Sequence, residues 1–212
     1  MRNSSTIRNS STILVQLRFA YIYFNDFTKV SMVKVSVFIG TSLDGFIARE
    51  NGDIGWLDDA NKIVTPGEDF GFKSFLESVD QIIMGRKTFD QVMKFDNWPY
   101  NKTKMVVLTS KNIEIPEKLR ETVKTSNTSS PEQLIKELSD QSINHIYIDG
   151  GLVIQDFLSA RLVDEITVTI VPILIGKGKS FSGLLLEDSS LEHLKTTVYN
   201  FGFVQIKYKV NK

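Results

Sequence analysis

Short apolar runs separated by glycine-bearing turns set the pattern of this chain. Val33, Val35, Val37 and Ile39 alternate with Lys34, Ser36 and Phe38 before Gly40, the period of two expected of a strand that opens into a loop at the glycine. Ile82–Met84, Met105–Leu108 and Ile146–Ile148 are unbroken apolar stretches, as expected of strands covered on both faces. Helical patterns lie between them. Pro66-Gly67-Glu68-Asp69 opens one, with acids in its first turn and Phe70, Phe72, Phe75, Leu76 and Val79 on its apolar side. A second runs from the Gly85 turn to about Met93. A third has Ser130 as N-cap, Pro131 at its first position and an end near Asp140, and a fourth runs from Leu152 to Ala160. Glu165–Val171 alternates again and stops at Pro172. Leu194–Tyr199 and Val204–Val210 flank Asn200-Phe201-Gly202-Phe203 as a hairpin. Strand–helix alternation closed by a hairpin predicts an α/β fold: a central, mostly parallel mixed sheet with helices on both faces and an antiparallel C-terminal pair.

Two segments stand apart. Residues 42–57 read as one long loop, with turn dipeptides at Asp44-Gly45 and Asn51-Gly52 and Trp56 as an anchor. Residues 1–31 carry a tandem Arg-Asn-Ser-Ser-Thr-Ile, no acid before Asp26, and an apolar run from Ile13 to Phe24 that is too short for a bilayer span and contains Arg18. They read as an N-terminal extension, either a transit peptide or a leader ahead of a start at Met32, and residues 32–212 as one domain.

Composition narrows the chemistry. Lys plus Arg equals Asp plus Glu at 25 each, so no net field recruits nucleic acid or a membrane surface. With no cysteine, disulfides, thiol nucleophiles and thiolate metal sites are absent, and a cytoplasmic location is expected. His145 and His193 lack ligand spacing, so no metal site is expected. What remains are three junctions where a strand ends in glycine or hydroxyl residues. At the first, Gly85 is followed by Arg86, Lys87 and Thr88, so that a helix N-terminus, two cations and a hydroxyl can face one phosphate. The second is Thr109-Ser110-Lys111. The third is Asp149-Gly150-Gly151, ahead of Leu152 and Val153. Each has a bland reading as a solvated turn. Together, on one side of a sheet, they suit an extended phosphate-bearing ligand.

The motif order Ser-Leu-Asp-Gly-x-Ile-Ala (42–48), Met-Gly-Arg-Lys-Thr-Phe (84–89), Leu-Thr-Ser (108–110), Asp-Gly-Gly (149–151) and Leu-Val-Asp-Glu through Pro-Ile-Leu-Ile-Gly-Lys-Gly (162–178) resembles the dihydrofolate-reductase-like superfamily. Within it, the chain is most similar to the reductase domain of bifunctional riboflavin-biosynthesis deaminase/reductase proteins and their stand-alone relatives. The resemblance implies a three-layer dihydrofolate-reductase-like fold, a homodimer, and NADPH across the sheet edge. Gly85, Arg86, Lys87 and Thr88 would hold cofactor phosphates, and Thr109, Ser110 and Lys111 the 2′-phosphate. Gly150, Gly151, Leu152 and Val153 would cradle the pyrophosphate and nicotinamide side, and Gly40, Ile47 and Ala48 would line the nicotinamide pocket. Asp69, sixteen residues before Gly85, falls at the superfamily's substrate-carboxylate spacing. Thr169, twelve before Phe181, would stand beside it, making these two the candidate catalytic residues. The chain departs from the riboflavin reductases at Phe38 and Phe46, where they carry a lysine and often a second basic residue, and at Asp149, where they have glutamate.

The expected function is NADPH-dependent hydride transfer to a C=N or C=O bond of a small heterocycle. The alternatives are 5-amino-6-(5-phosphoribosylamino)uracil reduction, dihydrofolate reduction, and a nucleotide-binding module without turnover. The two phenylalanines, if they face the pocket, count against a phosphoribosylated substrate.

Overall fold

The first alternating run becomes an interior strand of an eight-stranded sheet. The structure is a computed structural model that describes residues 33–128 and 130–212, so the N-terminal extension lies outside the described residues. Strand β1 (Lys34–Ser42) lies between β6 (His145–Asp149) and β7 (Glu165–Val171) and is parallel to both. Beyond β6 come β3 (Gln81–Gly85), β4 (Lys104–Leu108) and β5 (Val123–Ser126), all parallel. Beyond β7 come β10 (Val204–Val210) and β9 (Leu191–Val198), both antiparallel to their neighbours. The resulting order is β5-β4-β3-β6-β1-β7-β10-β9.

The helices are α1 (Gly55–Asn61), α2 (Phe72–Glu77), α3 (Arg86–Val92), α4 (Pro131–Asp140) and α5 (Gly151–Ser159). Leu134 and Leu138 of α4 and Val153, Ile154 and Phe157 of α5 pack on Val35, Val37, Ile83 and Ile148. Leu76 of α2 and Phe89 and Val92 of α3 pack on Ile82, Met84 and Tyr147 from the other face. Burial on both sides accounts for the unbroken apolar runs: Ile82, Ile83, Met84, Ile146 and Ile148 are 0% exposed. At about 25 cal/mol per Å² of apolar surface, each such side chain contributes about 1.5–3 kcal/mol.

Several boundaries differ from the sequence reading, each for a physical reason. Strand β1 does not open at Gly40 but continues to Ser42, because β7 supplies a parallel partner as far as Val171. The helix expected from Pro66 begins only at Phe72. Phe70 and Gly71 both have left-handed φ (57° and 78°), which interrupts a right-handed helix, and Asp69 caps the shortened helix by accepting from Gly71 N (2.9 Å) and Lys73 N (3.0 Å). The segment read as one loop contains α1, whose Trp56 is buried against Val171 and Phe203. It also contains β2 (Phe46–Ala48), which pairs with β8 (Lys179–Ser180) in a two-stranded ribbon. Strand β5 escaped notice because Val123 is its only apolar residue, and an edge strand with one neighbour needs no longer run. Strand β9 starts at Leu191 rather than Leu194; it is the opposite edge and mostly exposed, so its alternation is weak.

At the start of β6, His145 Nδ1 lies 2.7 Å from the Ser78 carbonyl, which can only accept, so Nε2 takes the Ser36 hydroxyl proton (2.8 Å). Burial holds this imidazole below its ordinary 6.5 against the Ser78 carbonyl; Lys34 adds to the lowering, and Glu165 and Asp80 oppose it. At this one site, as the pH falls through 6.5, the unfolded state therefore takes up its proton before the folded state does. The unfolding midpoint should fall on acidification through that range, and His145→Gln should flatten the slope; a series of thermal melts against pH checks both.

Candidate functional site

Strands β3 and β6 are hydrogen-bonded neighbours, in register from Gln81–Ile146 to Met84–Asp149, yet the helices that follow them leave on opposite faces. Diverging helices open a crevice at the carboxyl ends of the strands, where open α/β sheets bind ligands. The two glycine turns meet there. Gly150 bends at φ 91°, and a Cβ on it would overlap Thr88 Oγ1, so Thr88 of α3 sits directly against the start of α5. Gly85 is less constrained. Its φ of −78° suits any residue, and a Cβ there would only touch Val153 Cγ2 at 3.5 Å.

At the start of α5, Gly150 N donates to the Asp149 carboxylate (Oδ1, 2.7 Å) and Ile154 N to Gly150 O (3.0 Å). Helix geometry leaves the amides of Gly151, Leu152 and Val153 without intrahelical acceptors, three donors at the positive end of a nine-residue helix. Of the residues expected to grip the pyrophosphate, Gly150 thus shapes the turn while the next three hold the donors.

Beside these donors the β2–β8 ribbon forms a wall. A Cβ on Gly151 would lie 3.0 Å from Ile47 Cδ1 and 3.5 Å from Ser180 O, and Gln155 Nε2 of α5 donates to that same carbonyl (2.8 Å). Ala48 pairs with Lys179, and Gly40 is in register with Thr169 on β7. The expected nicotinamide-pocket residues Gly40, Ile47 and Ala48 therefore belong to the adjacent β1 end and ribbon. The ribbon is tied down by Asp44, whose carboxylate accepts from Ser42 Oγ (2.6 Å), Ile175 N (3.1 Å) and Gly176 N (2.7 Å). The Ser42 hydroxyl, aided by those amides, holds the Asp44 carboxyl below its ordinary range.

Across the crevice, Thr109 N bonds Ser126 O (2.8 Å) and Lys111 N bonds Thr109 Oγ1 (3.1 Å), a turn that leaves Ser110 and Lys111 exposed at the end of β4. Arg86 and Lys87 are exposed as well, Arg86 in a loose pair with Asp90 (3.3 Å). The sequence reading missed the end of β5. There Ser126 Oγ donates to Thr128 Oγ1 (3.0 Å), and Thr128 joins Leu108, Ser130 and Val153 around a small cleft. A polar Ser-Asn-Thr run after an unrecognised strand gave no signal of its own.

Thr169 and the residue after Asp69 are linked through a third residue that sequence reasoning also missed. Gln205 Nε2 on β10 donates to Thr169 Oγ1 (3.0 Å) and to Phe70 O (3.0 Å), so it clasps the left-handed residue that follows Asp69. Asp69 is exposed and Thr169 is buried.

The RibD C-terminal domain family model matches residues 33–204. The chain belongs to this family. It is 30% identical over 178 residues to the uncharacterized protein YwjB of Bacillus subtilis (strain 168), covering 82% of this chain and 97% of that one. A Shewanella sp. PV-4 protein, provisionally named for riboflavin biosynthesis, superposes with a TM-score of 0.77 at 35% identity, over 85% of this chain and 100% of that chain. The fold is also that of dihydrofolate reductase: the Enterococcus faecalis enzyme complexed with NADP(H) aligns at a TM-score of 0.55 and 18% identity, over 84% of this chain and 97% of that one. The protein is thus a RibD C-terminal-type domain with a dihydrofolate-reductase-like α/β fold.

Its departures from the RibD pattern have structural counterparts. Phe38 packs on Phe72 and Phe75 of α2 (centroids 5.3 and 5.0 Å), so its ring serves helix packing, and it does not by itself argue against a phosphoribosyl substrate. Asp149 spends one oxygen on Gly150 N and the other on Tyr100 Oη (2.8 Å). Burial pushes its carboxyl above the ordinary range, against the bonds from Tyr100 and Gly150. Tyr100→Phe should destabilise the RibD-type domain by about 1–3 kcal/mol at neutral pH, because it strips a donor from a buried carboxylate. The raised carboxyl takes a proton more readily in the folded state, so this cost should shrink as the pH falls; denaturant unfolding at two pH values measures it.

Proposed function

We propose that this RibD-type domain binds NADPH in the crevice between α3 and α5 and reduces a C=N or C=O bond of a small heterocyclic substrate. The observation that carries the reading is the meeting of Thr88 with Gly150 at the strand ends, beside the three unspent amides of Gly151, Leu152 and Val153. When bound, the nicotinamide supplies the hydride. The protein's own part is binding and orientation. The α5 amides, Lys87 and Thr88 meet phosphate oxygens, and Arg86, Thr109, Ser110 and Lys111 meet the 2′-phosphate. Leu108 and Thr128 border the adenosine side, and Gly40, Ile47 and Ala48 exclude water from the ring. Asp69, with Thr169 held in place through Gln205, is assigned to anchor or protonate the substrate. A homodimer in the cytoplasm completes the proposal; sedimentation would report the assembly.

NADPH should bind at least about tenfold more tightly than NADH, since a charge-assisted contact contributes about 1.5–3 kcal/mol and NADH lacks the 2′-phosphate. Arg86 is free to turn to that phosphate, because an exposed pair such as that with Asp90 contributes only about 0–1 kcal/mol. Titration by tryptophan quenching reads both affinities, and equal values, or values unmoved in Arg86→Ala and Lys111→Ala, would overturn the assignment. Asp69→Asn should leave NADPH affinity intact and lower turnover strongly. Full activity with a lower melting temperature would instead reduce Asp69 to the helix cap seen at Gly71 and Lys73.

Family membership favours a second reading, 5-amino-6-(5-phosphoribosylamino)uracil as the substrate. Growth of a riboflavin auxotroph lacking only the reductase, rescued by this chain, would establish it. Failure to rescue, with NADPH oxidation on another heterocycle, would support the first.

A further inference from the structure

Asp44 lies outside every residue assigned above to cofactor or substrate, yet its carboxylate accepts from backbone amides 131 and 132 residues further along the chain. Its oxygens take the amides of Ile175 and Gly176, in the loop after β7, and the hydroxyl of Ser42 at the end of β1. Ser42 Oγ in turn accepts from Phe46 N (3.0 Å), the first residue of β2, and Leu43 N donates to Ile173 O (2.8 Å). These bonds converge on the base of the β2–β8 ribbon. The ribbon contains only the pairs Phe46–Ser180 and Ala48–Lys179 and has an irregular register between them. A two-stranded pair this short has little stability of its own in water. What it rests on is α5: Ile47 Cδ1 and Ser180 O against Gly151, and the bond from Gln155 Nε2.

We propose that Asp44 is a positioning residue that clips the β7–β8 loop to the end of β1 and so holds the ribbon, with Ile47 and Ala48, as the wall for the nicotinamide half of the cofactor. The proposal rests on the reductase reading for its ligand, but the clip itself does not. A carboxylate suits the place because every group facing it is a donor. Asp44→Ala removes the acceptors altogether, so the Ile175 and Gly176 amides and the Ser42 hydroxyl lose this partner together.

The test compares wild type with Asp44→Ala in the full chain. It uses amide hydrogen exchange of residues 43–48 and 173–180, and titration with NADPH and with adenosine 2′,5′-bisphosphate, which has no nicotinamide. The expected result is faster exchange in those two segments only, at least a tenfold loss of NADPH affinity, and bisphosphate affinity within twofold of wild type. Unchanged exchange in Asp44→Ala overturns the clip, whatever the ligands do. Faster exchange with equal losses for both ligands, or with neither loss, overturns the link to the nicotinamide half. A wild-type protein that binds neither compound removes the reductase reading and the cofactor wall with it, while exchange still decides the clip.

Discussion

The candidate site depends on one topological constraint: β3 and β6 are neighbours whose following helices are forced to opposite faces. Both strands have fully buried centres, Ile82–Met84 and Ile146–Ile148, and need a helix layer on each side. That demand for cover on both faces makes α3 and α5 diverge, and the divergence leaves the crevice. The Gly150 backbone then adopts a left-handed bend against Thr88, where a side chain has no room. Core burial and the geometry of the crevice therefore share a single origin.

Around this crevice, aspartates serve the backbone. Asp149 holds the Gly150 amide, Asp69 the amides of Gly71 and Lys73, and Asp44 those of Ile175 and Gly176. Each satisfies donors that strand or helix geometry leaves over at an irregular join. Their environments differ. Asp44 meets only donors and its carboxyl is lowered, whereas Asp149 is buried beneath Tyr100 and its carboxyl is raised.

The sheet's interior was legible in the sequence because burial on both faces writes an unbroken apolar run, as in Ile82–Met84 and Ile146–Ile148. The caps and turns were legible for a similar reason: Ser130 before Pro131, and Gly202 in the final hairpin, have local conformational preferences that no distant contact overrides. Elements held mainly by partners were not legible. Strand β5 has one apolar residue, α1 is too short to show a period, and the continuation of β1 past Gly40 exists because β7 runs alongside it.

The residue types at the three strand-end junctions, and their order along the chain, were determined by the sequence alone, since glycine turns and helix starts are local chemistry. Only tertiary structure decided which of them touch and how their donors are used: Thr88 against Gly150, Gly150 N withdrawn to Asp149, Phe38 turned into the α2 cluster, and Gln205 reaching from β10 to join Thr169 to Phe70. Each of these is a contact between residues distant in the chain, set by strand order and register, which no local pattern encodes.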